Sequence, residues 1–136
     1  MPAYLDTGLN VVDVDDVAEG HLSAAVRGRI GQRYILGNQN MTLQEILQTL
    51  ADLTGLSCPR LKLPYYPVLA LAWVDSGLTR WISGREPRIP LDGVRMSRKK
   101  MFVDPSKAVR ELGLPQTSPV ESLEKAVRWF RENRYV

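Results

Sequence analysis

Four short stretches with strand patterning stand singly between helical segments, and this spacing constrains the fold more than any other feature of the sequence. Strands separated by helices pair in parallel through crossovers, and parallel sheets sit in cores covered on both faces. The chain has 136 residues, a single-domain length. The pattern implies an α/β chain, mainly helical, with about six helices and a few short, mostly parallel strands. It reads as part of something larger.

The strand candidates are Asn10 to Val14, Arg33 to Leu36, Leu61 to Leu63 and Met101 to Val103. Asp16-Val17-Ala18-Glu19 has the spacing of a capping box, so a helix is expected from Val17 to Arg27, ended by Gly28. Thr42-Leu43-Gln44-Glu45 repeats the device. Leu43, Ile46, Leu47, Leu50 and Leu53 then form one apolar stripe, and Gly55 ends that helix. Pro64 and Pro67 precede a helix from Val68 to Ile82, ended by Gly84. Asp104-Pro105-Ser106-Lys107 opens another, with Gly113 as its left-handed stop. Ser118-Pro119-Val120-Glu121 opens the last, whose expected buried face is Leu123, Ala126, Val127 and Phe130, with Trp129 on a flank.

Composition removes several classes of function. Cys58 and His21 are the only residues of their kinds, which excludes an internal disulfide and nearly excludes a Cys/His metal site; no metal is expected. A reducing, cytoplasmic setting fits this usage. The longest apolar run, Val68 to Val74, is far short of the ~20 residues of a membrane span, and Met1 to Asp6 has no signal-peptide character. No membrane partner is expected. A net charge of +3 is a mildly basic surface and weak support for polyanion binding.

Three motifs in order carry a family resemblance. Gly8 to His21, reading GLNVVDVDDVAEGH, resembles the junction that opens the C-terminal half of extended short-chain dehydrogenases/reductases, the NAD-dependent epimerase/dehydratase family. Arg33-Tyr34-Ile35-Leu36-Gly37 with Met41 to Ile46 resembles that family's last core strand and next helix, and Phe102 to Gly113 resembles its C-terminal signature. Val11 to His21 and Asp92-Gly93-Val94-Arg95-Met96 are most similar to the dihydroflavonol-4-reductase-like proteins that include the hopanoid-associated sugar epimerases.

The resemblance implies the C-terminal part of a Rossmann-like fold. In complete members a Gly-x-x-Gly-x-x-Gly turn holds the dinucleotide, and a Tyr-x-x-x-Lys pair supplies acid and base. Neither occurs here. Gly28-Arg29-Ile30-Gly31 follows a helix rather than a strand, and none of Tyr4, Tyr34, Tyr65, Tyr66 or Tyr135 has lysine four positions on. Residues 1–136 are therefore expected to be one substrate-binding portion, without a cofactor or catalytic residue of its own and inactive alone. Its implied partner is a missing N-terminal dinucleotide-binding domain, and NAD or NADP with a sugar or polyol-like substrate belongs to the parent.

The resemblance also places two basic residues around a nucleotide diphosphate. The first position is Leu9, a departure that puts such a substrate in doubt; Arg95 or Arg98 corresponds to the second. Asn10, at the mouth of the first strand, is the remaining substrate candidate. Against these stand plain alternatives: a solvated basic helix face for Arg95, Arg98, Lys99 and Lys100, and a strand-start residue for Asn10. Asp16 and Asp104 read as helix caps worth about 1 kcal/mol each, His21 as a packed helix residue, and Cys58 as having no role.

Leu69, Trp73, Leu78 and Trp81 at helical spacing are core, or a face that covers the absent domain. An exposed face of this kind favours a homo-oligomer. A rival function is a small basic helical interaction module touching nucleic acid through Arg95 to Lys100; nucleic acid is the less favoured partner.

Overall fold

The computed structural model describes residues 3–79 and 91–135. Among them the order is β1 (Ala3–Leu5), β2 (Gly8–Val11), α1 (Val14–Arg27), β3 (Gln39–Thr42), α2 (Leu43–Thr54), β4 (Leu61–Leu63), α3 (Tyr65–Leu78), α4 (Leu91–Ser97), α5 (Ser106–Leu112) and α6 (Pro119–Glu132). β1 runs parallel to β4, with Ala3 opposite Leu61. β2 runs antiparallel to β3, with Gly8 opposite Thr42, and Leu9 forms a parallel bridge to Met101. Of the two sheets, each of two strands, one is parallel and the other antiparallel. The mainly helical α/β expectation holds.

Local chemistry explains most boundaries. Thr42 forms the expected capping box: its hydroxyl accepts from the Glu45 amide at 3.2 Å, and Glu45 Oε2 accepts from the Thr42 amide at 2.7 Å. Gly55 and Gly113 end α2 and α5 in the left-handed region, with φ of 73° and 72°. The α2 stripe turns inward, with Ile46 buried and its companions half-buried.

Four expectations need correction. Helix α1 starts three residues early, capped by Asp13, whose carboxylate accepts from the Asp15 amide at 3.0 Å; Asp16 is inside the helix and does not cap it. The strand expected at Arg33 to Leu36 is absent, and β3 forms instead at Gln39–Thr42, because β2 offers its edge there. Met101 makes only a single bridge. Helix α3 begins at Tyr65, since a proline at position 67 in the first turn has no helical bond to lose; its expected end at Ile82 and Gly84, like Trp81, lies outside the described residues.

The central core is small: Ala108, Leu112 and Leu114, packed by Ala24, Tyr34 and Leu36. A Cβ at Gly20 would meet Leu114 Cδ1 at 2.6 Å, so glycine lets α1 approach this core closely. Residues far apart in sequence clasp the body. Met101 N donates to Gly8 O at 2.8 Å, and Arg27 Nη1 to Leu112 O at 3.1 Å. Lys125 Nζ reaches Asp13 at 3.2 Å. Asp16, 4% exposed, accepts from Thr117 N at 2.7 Å and Thr117 Oγ1 at 2.8 Å.

Much apolar surface stays outside. The accessible area is 10099 Å², whereas a compact monomer of 15.3 kDa should expose about 7,100 Å². The excess, roughly 3,000 Å², exceeds the ~800 Å² that one partner contributes to a standard interface. On α1, Val14, Ala18, Leu22, Ala25 and Val26 form an outward stripe, opposite the inward Asp16, Gly20 and Ala24; Val26 is 84% exposed. The expected buried face of α6 is likewise only half covered: Ala126 and Phe130 are exposed, and Phe130 packs edge-on against Trp129 and Tyr135.

Candidate functional site

The carboxyl ends of parallel strands are where open α/β folds place ligands. At the ends of β1 and β4 the chain forms a cleft of about 330 Å³. Leu5 and Asp6 enter from β1, Lys62 to Pro64 from β4, Tyr65 and Tyr66 from the first turn of α3, and Ser97 and Arg98 from the end of α4. The turn is dictated locally: Pro64 holds the extended backbone that ends β4 and caps α3.

Two cations face this cleft in different states. Lys62 Nζ lies 2.7 Å from Asp6 Oδ2. The hydrogen bond between them, and then their opposite charges, lower the Asp6 carboxyl below its ordinary value and raise the Lys62 amine above its own. Arg98 has no ion-pair partner among the described residues, so its fork of donors is free for an anion.

Arg95 faces elsewhere. Its Nη1 is 3.7 Å from Asp92, and its guanidinium sits 5.6 Å from the Trp73 ring centroid. Asn10 does not line the cleft. Its Nδ2 donates to Asn40 Oδ1 and its Oδ1 accepts from the Asn38 amide, both at 2.8 Å. Asn40 in turn donates to Val103 O at 2.9 Å and accepts from Val103 N at 3.1 Å. This asparagine lattice ties β2, β3 and the segment before α5 together, and a Cβ at Gly37 would intrude on it, 2.6 Å from Asn10 Oδ1. The structure therefore brings Arg98 to a cleft, sets Arg95 beside α3, and builds Asn10 into the frame.

Sequence reasoning missed Lys62, Tyr65 and Tyr66. The available signal was the short Leu61 to Leu63 strand followed at once by Pro64, because a strand end next to a helix start is where such a cleft opens. Asp104 lies one residue before the cap position of α5, which Pro105 occupies, and accepts from the Ser106 amide at 2.9 Å. His21 is a local residue, its Nδ1 donating to Val17 O at 2.8 Å.

The nearest approach to a glycine turn, Gly28 to Gly31, is not placed as a dinucleotide cradle. Gly28 caps the carboxyl end of α1, with φ of −64°. Gly28 to Gly31 thus sit at the negative end of a helix dipole, opposite in sign to a pyrophosphate cradle. Among the described residues no group of His, Cys, Asp and Glu could hold a metal ion.

No family model matches the chain. It is 49% identical over 140 residues to a putative dihydroflavonol 4-reductase from Synechocystis sp., covering 100% of this chain and 40% of that protein. The crystal structure of gox2253 matches 98% of this chain with 41% identity and a TM-score of 0.76, over 40% of its own length. A nucleoside-diphosphate-sugar epimerase from Pseudomonas aeruginosa matches 99% with 30% identity and a TM-score of 0.73, over 39% of its length. The chain spans about two fifths of the proteins it matches.

Proposed function

Because the chain is related in sequence and fold to a portion of reductase and epimerase proteins, we propose that it is the C-terminal, substrate-binding portion of such an enzyme and is inactive alone. The parent uses NAD or NADP on a sugar or polyol-like substrate, and a dinucleotide-binding domain supplies the glycine turn and the tyrosine–lysine pair. This chain closes the substrate side. In that reading Arg98 holds an anionic group in the cleft, Lys62 and Asp6 set its polarity, Arg95 braces α4 against Trp73 of α3, and Asn10 keeps β2 and β3 in register.

One observation carries the reading. The Val14 to Val26 stripe of α1 lies open, and on the opposite side of that helix the segment Arg33 to Leu36 has strand patterning and no strand partner. An open apolar helix face and an unpaired extended segment are what remain when a helix and an edge strand are separated from the sheet they cover. Without that sheet the same face drives self-association, the basis for proposing an oligomer of the isolated chain.

The test is reconstitution. The part of the Synechocystis protein outside the match is expressed separately and mixed with this chain, and with its Leu22→Glu variant. Calorimetry should show no NAD or NADP binding to the chain alone, while the mixture forms a complex that Leu22→Glu abolishes. Cofactor binding by the chain alone, or a complex indifferent to Leu22→Glu, refutes the proposal.

A further inference from the structure

Helix α3 is apolar around its whole circumference, reading YYPVLALAWV over its first ten residues. Helices of that composition are buried in a core or in contact with lipid. Among the described side chains of α3 only Ala72 is buried, while Tyr66, Leu71, Trp73 and Val74 are exposed, Trp73 at 57%. Helix α3 packs against α4.

That neighbour supplies positive charge, Arg95 beside its partner Asp92 and Arg98 with no ion-pair partner among the described residues. Arg95 on α4 and Arg98 just beyond it are three residues apart. Arg95 sits over Trp73, and Arg98 lines the cleft with Tyr65 and Tyr66. Met96, between them, is also exposed. The face therefore presents Trp and Tyr rings with aliphatic side chains, edged by guanidinium groups. Aromatic rings of this kind prefer the headgroup level of a bilayer, and arginine pairs with lipid phosphate while its stem covers apolar surface.

We propose that α3, with Arg95 and Arg98, forms a docking surface for an anionic lipid bilayer. The sequence offered no membrane partner because no span is long enough, and no described helix is long and apolar enough to cross; lying in the interface needs no span. Charge favours lipid over a second copy of the chain, because a two-fold contact through this face would set each arginine row against its own copy. The proposal stands apart from the reading of the α1 face but shares Arg98 with the cleft, whose mouth therefore opens on the docked side.

The experiment is flotation of the purified chain with vesicles of phosphatidylcholine alone or mixed with phosphatidylglycerol, at low and high salt. The chain should float only with the phosphatidylglycerol vesicles and be released by salt. Arg95→Gln with Arg98→Gln should lower partitioning about 25-fold, near fivefold per charge. Leu71→Ser with Trp73→Ser should abolish it; both positions are exposed, and circular dichroism verifies that the variants stay folded. Equal flotation with neutral vesicles, no flotation at all, or variants that float like the parent chain overturn the proposal. So does sedimentation showing a stable dimer that Trp73→Ser dissolves while vesicles leave the protein behind. Tighter binding to duplex DNA than to vesicles, lost in the arginine variant, would reassign the face to nucleic acid.

Discussion

Replacing Asp16 with alanine should cost about 3 kcal/mol. The carboxylate is buried and accepts two hydrogen bonds, one from the Thr117 amide and one from its hydroxyl. Bonds to a charged acceptor contribute roughly 1.5–3 kcal/mol each, and truncation strands the Thr117 amide, while its hydroxyl can turn toward water. With a urea slope of about 1.5 kcal/mol/M, the midpoint falls by about 2 M at unchanged slope. Thr117→Val removes only the hydroxyl bond and should cost about 1.5 kcal/mol; the double variant should be less than additive. Glu19→Ala is the control. If Asp16 and Glu19 formed a capping box, each would cost about 1 kcal/mol, but Glu19 is an exposed residue within α1 and should change stability by less than ~0.5 kcal/mol. A midpoint shift below ~0.7 M for Asp16→Ala, or equal costs at Asp16 and Glu19, refutes the assignment of Asp16 as a tie between α1 and the loop before α6.

Leu112 is fully buried at the centre of the core, so Leu112→Ala should cost about 2–5 kcal/mol by thermal or urea unfolding. Gly37→Ala should cost about 1–3 kcal/mol, because the added methyl displaces the Asn10 oxygen, and amide exchange at Asn38 should accelerate. The Asp13 carboxyl is held below its ordinary value, first by the Asp15 amide and further by Lys125, against the opposing effect of burial. Its contribution to stability is therefore complete above the usual carboxylate value and is lost as pH falls below it. Asp13→Asn should flatten the acid limb of stability against pH and leave the neutral region parallel to that of the unchanged chain.

Signals confined to a few neighbouring residues were legible in the sequence. The Thr42–Glu45 box, the glycine stops at Gly55 and Gly113, and the inward stripe of α2 need only adjacent residues, and they formed as read. Asp16 was misread because three aspartates crowd Asp13 to Asp16, and the group that selects among them, Thr117, is 101 residues away. Arg33 to Leu36 has strand composition, but a strand exists only with a partner edge, and β2 takes its partner at Gln39–Thr42. The cleft was hidden for the same reason: the β1–β4 pairing that opens it joins residues 58 positions apart, Ala3 to Leu61, and β1 carries no pattern beyond three residues.

The clasp between the first thirty residues and the segment from Met101 to Lys125 has an evolutionary consequence. The principal tertiary ties of α1 and β2 bypass α3 and α4, so substitutions on the exposed faces of those two helices leave these ties intact. Selection can rewrite Tyr65, Tyr66 and Ser97, and with them the mouth of the cleft, without touching the bonds that fasten the chain's beginning to its end.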